Sequence, residues 1–151
     1  FNSPGQLVIA VHSEAVDRAL AKLAELGVKK AVKLAVSVPS HCALMRDAAD
    51  KLGERMTSIA WQLPTIPVVQ NAEARSYTSV EDIRSALQRQ LYLPVRWTQC
   101  VQTLVAGGAT RMAECGPGKV LAGLIKRIDK GVEARAIGAP ADLDAARSEW
   151  A

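Results

Sequence analysis

The chain has 151 residues and a mass of 16.1 kDa, enough for one ordinary domain or two small lobes. Hydrophobic residues make up 49% and charged residues 23%, which excludes a disordered tail, a collagen-like fibre and a coiled coil. The net charge of +4 permits an acidic partner, but the cations are scattered, aromatics are only 4% and no nucleic-acid motif interleaves them, so nucleic acid is not expected.

At the start, Asn2-Ser3-Pro4-Gly5 is turn chemistry, and the β-branched run that follows, residues 6–11, reads as the second arm of a hairpin whose first arm is missing. The first residue is Phe1, not Met, and no basic-then-apolar secretory leader opens the chain, so the expectation is either a leader already removed or a piece of something longer. Ser13 reads as a helix N-cap, with Glu14 and Asp17 in the first turn and Val16, Ala19, Leu20 and Leu23 on one apolar face. Gly27 stops that helix, and residues 30–38 read as a strand ended by Pro39.

Helical texture follows. Leu44, Ala48, Leu52, Met56 and Ile59 recur at about helical spacing, Pro64 and Pro67 break the pattern, and Val68-Val69 reads as a short strand. Ser79 with Asp82 resembles a capping box before a helix that buries Val80, Ile83, Leu87 and Leu91. After Pro94, a helix facing Val101, Leu104 and Val105 inward ends at Gly107-Gly108. A strand over 112–115, the turn Gly116-Pro117-Gly118, a helix presenting Val120, Leu121, Leu124, Ile125 and Ile128, a strand over 134–137 and a helix over 142–150 complete the chain. Short strands alternating with helices imply an α/β architecture with a mainly parallel sheet, whereas residues 1–37 read as a small α+β lobe. No apolar run approaches the ~20 residues of a membrane-spanning helix.

Histidine is the first residue to consider for proton transfer near neutral pH, and there are two. His12 sits between strand and helix and reads as a surface or hinge residue. His41, in Ser37-Val38-Pro39-Ser40-His41-Cys42, stands where strand texture gives way to helix texture, and such junctions open into clefts. Position alone leaves a structural and a catalytic role both open. Cys42 is adjacent, but neighbours in sequence generally point apart, so a Cys–His dyad is not expected. Cys42, Cys100 and Cys115 are widely spaced, which argues against a disulfide framework and a metal site; all three are expected as small buried residues in a reducing cytoplasm. Gly116-Pro117-Gly118-Lys119 fails the phosphate-loop pattern, having no upstream Gly at the right spacing and no Ser or Thr after the Lys, and reads as a tight strand-to-helix turn. Ser40 lacks a Gly-x-Ser-x-Gly elbow, and no such elbow exists in the chain. Small basic clusters at Lys29–Lys30–Lys33 and Lys126–Arg127–Lys130 read either as solvated surface or as a docking patch for a small acidic protein.

Four segments together carry a family resemblance. Phe1 to Gln6, the run Ser37-Val38-Pro39-Ser40-His41-Cys42-Ala43-Leu44-Met45, Arg89-Gln90-Leu91-Tyr92 with Pro94 to Trp97, and Gly116-Pro117-Gly118-Lys119-Val120-Leu121 resemble, in order, bacterial malonyl-CoA:acyl-carrier-protein transacylases. That resemblance covers only the later part of the longer family enzymes. It implies part of a small ferredoxin-like α+β subdomain over 1–37 and the remainder of a hydrolase-like parallel-sheet subdomain over 38–151. The family's nucleophilic serine, in a Gly-His-Ser-x-Gly elbow, its carboxylate-pairing arginine and its oxyanion glutamine belong to the earlier half and are not among these residues.

The resemblance further implies a ping-pong acyl transfer from malonyl-CoA to serine and then to the phosphopantetheine thiol of acyl carrier protein, with no cofactor and no metal. In it His41 matches the general base and Gln90 the residue whose backbone carbonyl orients the base. Ser40 falls where acyl selectivity is set, Asn2 and Asn71 fall near the cleft, and Lys29 and Lys30 fall on the face where the carrier protein could dock. The implied partners are acyl carrier protein, a coenzyme A thioester and the missing earlier half, in the cytoplasm and away from membranes. Alone, the chain is expected to be nearly inactive. The alternative is a non-catalytic carrier-binding module.

Overall fold

The computed structural model describes residues 1–151. Its elements run α1 (Ser13–Glu25), a 3-10 turn (Ala43–Met45), α2 (Arg46–Thr57), α3 (Val80–Arg89), α4 (Trp97–Ala106), β1 (Arg111–Cys115), α5 (Val120–Ile128), β2 (Glu133–Ile137) and α6 (Pro140–Trp150). β1 and β2 form a two-stranded parallel sheet, with Arg111 opposite Glu133 and Cys115 opposite Ile137. Parallel neighbours need a crossover, and α5 supplies it while packing on both strands. The chain is therefore α/β.

The core lies where α4, α5 and the sheet meet. Val101, Ala122, Ile125, Val132 and Ala134 are buried together, with Trp97, Val105, Met112 and Ile128 packed around them. Two local devices fix this unit. Gly116 and Gly118 have φ of 131° and 97°, a region that glycine enters without a Cβ penalty, so the chain can turn sharply from β1 into α5. Glu114, on β1, then reaches back, and its carboxylate accepts the Ala122 N–H at 2.8 Å in the first turn of α5. On the far side, the Asp142 carboxylate accepts the N–H groups of Gly138 and Ala139 at 3.0 and 2.9 Å and so caps α6. Ser79 caps α3, accepting the Asp82 N–H at 3.1 Å as the sequence predicts.

The remainder is open. Only 14 of 151 residues are buried, and the accessible surface is 10556 Å² where a compact protein of this mass exposes about 7,400 Å². The excess is concentrated before residue 40. Leu7, Val8, Ile9, Val11, Val28, Val32, Leu34, Val36 and Val38 are all exposed. α1 buries no residue and packs on no other helix or strand. Lys33 ties residues 28–37 to this helix, donating to Asp17 at 2.6 Å and Ser13 at 3.1 Å.

Several sequence expectations are corrected here. Residues 6–11, 30–38 and 68–69 form no strand. A strand exists only with a neighbour to take its N–H and C=O groups, and none lies beside these segments; β propensity is a preference for a half-buried pleated surface. The turn at Ser3-Pro4-Gly5-Gln6 does form, closed by the Gln6 N–H on the Ser3 carbonyl at 2.9 Å with Gly5 at φ 75°. His12, not Ser13, is the N-cap of α1, because the Ser13 hydroxyl serves Lys33 instead. Leu44, Ile59, Leu104, Val120 and Leu121 are exposed rather than inward, since no neighbouring layer covers those helix faces. Cys100 is buried, and burial pushes its thiol up, but Cys42 is half-buried and Cys115 is exposed at the end of β1.

An ionic clamp docks α6 on β2. Arg135 donates to Glu149 of α6 and to Glu133 of its own strand at 2.8 Å, and its guanidinium lies 5.6 Å from the Trp150 ring centre. The hydrogen bond from Arg135 holds the Glu149 carboxyl below the usual carboxylate range. A depressed folded-state value contributes stability above the unfolded value, near 4.3, and that contribution is lost as pH falls through the lower folded value. Thermal melts between about pH 5 and 3 are therefore expected to fall less steeply for Glu149→Gln than for the parent chain. An unchanged slope would remove the clamp from the acid response.

Candidate active site

The site is built by a turn that two chain segments share. α3 ends at Arg89, whose carbonyl accepts the N–H groups of Tyr92 and Leu93 at 3.1 and 2.9 Å. This tight turn leaves the next two carbonyls, those of Gln90 and Leu91, free to bond outside it. Both bond to His41. The His41 N–H donates to the Leu91 carbonyl at 3.0 Å, and the ring Nδ1 lies 2.7 Å from the Gln90 carbonyl oxygen.

A carbonyl oxygen only accepts, so Nδ1 must carry the proton and the neutral ring keeps its lone pair on Nε2. The residue is exposed, so the ring is not walled off from solvent. His41 also has φ of 64°, one of two non-glycine residues with positive φ; the other is Ala74. Such a conformation costs roughly 1–2 kcal/mol for an L-residue. Two hydrogen bonds at about 1 kcal/mol each offset it. A third brace is the Arg46 guanidinium, 4.4 Å from the Tyr92 ring centre, a stack that contributes about 0.5–1 kcal/mol at an exposed site.

The preceding chain is shaped to deliver the ring. The Ser40 N–H bonds back to the Val38 carbonyl at 2.9 Å across Pro39, and Cys42 turns extended to start the 3-10 turn. The Cys42 thiol donates to the Pro39 carbonyl at 3.2 Å, so it is engaged by backbone and forms no dyad with its neighbour. Ser40 is exposed beside the ring.

Residues 90–98 gather the other candidates. The Phe1 main-chain nitrogen donates to the Val95 carbonyl at 2.9 Å and the Thr98 N–H to the Phe1 carbonyl at 3.2 Å, which sets Asn2 against this segment. The Arg96 N–H donates to the Asn71 carbonyl at 2.8 Å. The Asn71 side-chain Oδ1 is buried without a partner, and so is the Ser3 hydroxyl. Lys29 and Lys30 are not part of this cluster. They are exposed beyond the end of α1, and neither is in an ion pair.

At the start of α5 the position that a bound anion would take is filled by Glu114. No group of three or more His, Cys, Asp or Glu could hold a metal ion, and no helix is long and apolar enough to cross a membrane. Sequence reasoning missed Leu91, Arg46 and Tyr92. A main-chain carbonyl leaves no mark in residue identity, and Arg46 and Tyr92 are distant in the chain.

Replacing His41 separates backbone strain from the ring's bond. His41→Gly and His41→Ala both lose the ring, but only glycine relieves the positive φ. In urea unfolding His41→Gly is expected to be more stable than His41→Ala by about 1 kcal/mol. Equal stabilities, or the reverse order, would contradict the strain.

No family model matches the chain. It is 52% identical over 149 residues, 99% of its length, to the malonyl CoA-acyl carrier protein transacylase of Salmonella typhimurium, and covers 48% of that protein. Among solved structures, a malonyl-CoA:acyl carrier protein transacylase from Xanthomonas oryzae is 63% identical, with a TM-score of 0.89 over 92% of this chain and 44% of that one. A malonyl-transacylase in complex with its type II PKS acyl-carrier protein is 49% identical, with a TM-score of 0.94 over 99% of this chain and 48% of that one. The chain thus spans about half the length of the curated relatives it matches, and nearly all of it is homologous to proteins that bear the transacylase name.

Proposed function

We propose that this polypeptide is the later part of a malonyl-CoA:acyl-carrier-protein transacylase and contributes its general base, His41. The observation that carries this reading is the 2.7 Å bond from the His41 ring to the Gln90 carbonyl, which leaves Nε2 as the proton acceptor on an exposed ring. The likeness to transacylases over nearly the whole chain supports the substrate class.

In this mechanism a serine from the earlier half attacks the malonyl thioester while Nε2 takes its proton. The C–S bond breaks, and the coenzyme A thiolate leaves with the proton from the imidazolium. The phosphopantetheine thiol of acyl carrier protein then gives its proton to Nε2 and attacks the acyl ester. The C–O bond breaks and the serine regains its proton. The Gln90 carbonyl keeps the ring in the correct tautomer and orientation throughout. Ser40 would face the acyl group, Asn2 and Asn71 would line the approach, and no cofactor is required. The exposed apolar segments 7–11 and 28–38 are the surface on which the earlier half would pair its own strands. Without that half the nucleophile is missing, and the chain would be nearly inactive.

In the protein carrying both halves, His41→Ala is expected to lower malonyl transfer by about 10²–10⁴-fold. Gln90→Ala keeps the main-chain oxygen and is expected to stay within a few-fold of the parent. Steady-state assays with malonyl-CoA and holo carrier protein decide; full activity in His41→Ala would end the proposal.

The carrier protein is acidic in this reading, and Lys29 and Lys30 are the unpaired cations offered to it. Lys29→Glu with Lys30→Glu should weaken carrier binding and flatten its dependence on salt. Binding unchanged in titration calorimetry would move the dock elsewhere.

A further inference from the structure

We propose that Arg89 is a positioning residue for His41, acting through the turn that follows it. The two terminal nitrogens of the Arg89 guanidinium reach three acceptors. It donates to Glu73 at 2.9 Å, to the Ser85 hydroxyl, and to the Tyr77 hydroxyl at 3.4 Å. Tyr77 in turn donates to Glu73 and lies under Arg75, whose guanidinium is 4.7 Å from its ring centre. The Arg89 and Glu73 side chains are both mostly buried, at 28% and 27% exposed, so this is not a freely solvated surface pair.

The same residue's main chain makes the turn. Its carbonyl takes the N–H groups of Tyr92 and Leu93, which directs the intervening carbonyls of Gln90 and Leu91 to the His41 ring and backbone. Fixing the Arg89 side chain thus fixes the plane from which both acceptors are presented. A fork-shaped donor suits this work, because it engages separate oxygens in one geometry where an ammonium would swivel. The consequence for catalysis rests on the reading of His41 as proton acceptor, but the positioning itself is measured without any acyl transfer.

The test is nitrogen NMR of the His41 ring in the 151-residue chain, together with exchange of its amide. Arg89→Ala is expected to cost the Nδ1-protonated tautomer its dominance and to speed His41 amide exchange by about tenfold. Arg89→Lys should fall between Arg89→Ala and the parent. Gln88→Ala, which removes the 3.1 Å bond from the neighbouring Gln88 of α3 to Asp50 of α2, should leave the ring unchanged. If Arg89→Ala leaves the ring unchanged, or Gln88→Ala shifts it as much, the proposal is overturned. If Arg89→Ala does not fold, Glu73→Gln carries the same decision: a shifted tautomer supports it and an unshifted one overturns it. A positive result here alongside an active His41→Ala enzyme would refute the catalytic reading and leave the positioning intact.

Discussion

Two consecutive main-chain carbonyls converge on one histidine. Most features near the site exist to make that convergence possible: the cap that starts α3, the tight turn that ends it, and the γ-like fold-back at Ser40 that brings the ring in. The backbone bond to Leu91 holds the residue in a left-handed conformation, while the ring bond to Gln90 selects a tautomer. Neither works alone. Without the backbone bond the residue would relax to negative φ and carry the ring away; without the ring bond either nitrogen could hold the proton. A neutral carbonyl orients this ring as a carboxylate orients the histidine of a Ser-His-Asp triad, without adding a full charge beside it.

Opposite this ordered corner stands a surface with nothing to rest on. Segments with every mark of strands remain unpaired, and an amphipathic helix keeps its apolar face half in water. Within α4–β1–α5–β2–α6 the crossover helix packs on both strands and α6 packs on β2. The first forty residues have no such cover. Their apolar side chains remain in water, in a chain that spans about half the length of the relatives it matches.

What the sequence revealed follows from the same physics. α3, α4, α5 and α6 were legible because caps, glycine stops and apolar spacing are local, and β1 and β2 because their neighbour is one crossover away. Residues 6–11 and 30–38 misled because a strand is a relation between two chains of hydrogen-bonding groups. His41 was visible as a residue type at a junction, and family likeness pointed to Gln90. The Leu91 carbonyl, the Arg46–Tyr92 stack and the Glu73–Arg89 pair were not, since their geometry arises only when distant segments meet.

The Glu114 carboxylate against the first turn of α5 bears on how the start of that helix can meet an anion. A glycine turn opening into a helix is a common cradle for phosphate oxygens, but here the protein has already filled that seat with its own side chain. A phosphate-bearing ligand approaching this turn would meet a carboxylate instead of free N–H groups and would have to find its counter-charge on cationic side chains elsewhere. Recognition through such side chains is loose in orientation and weakened by salt.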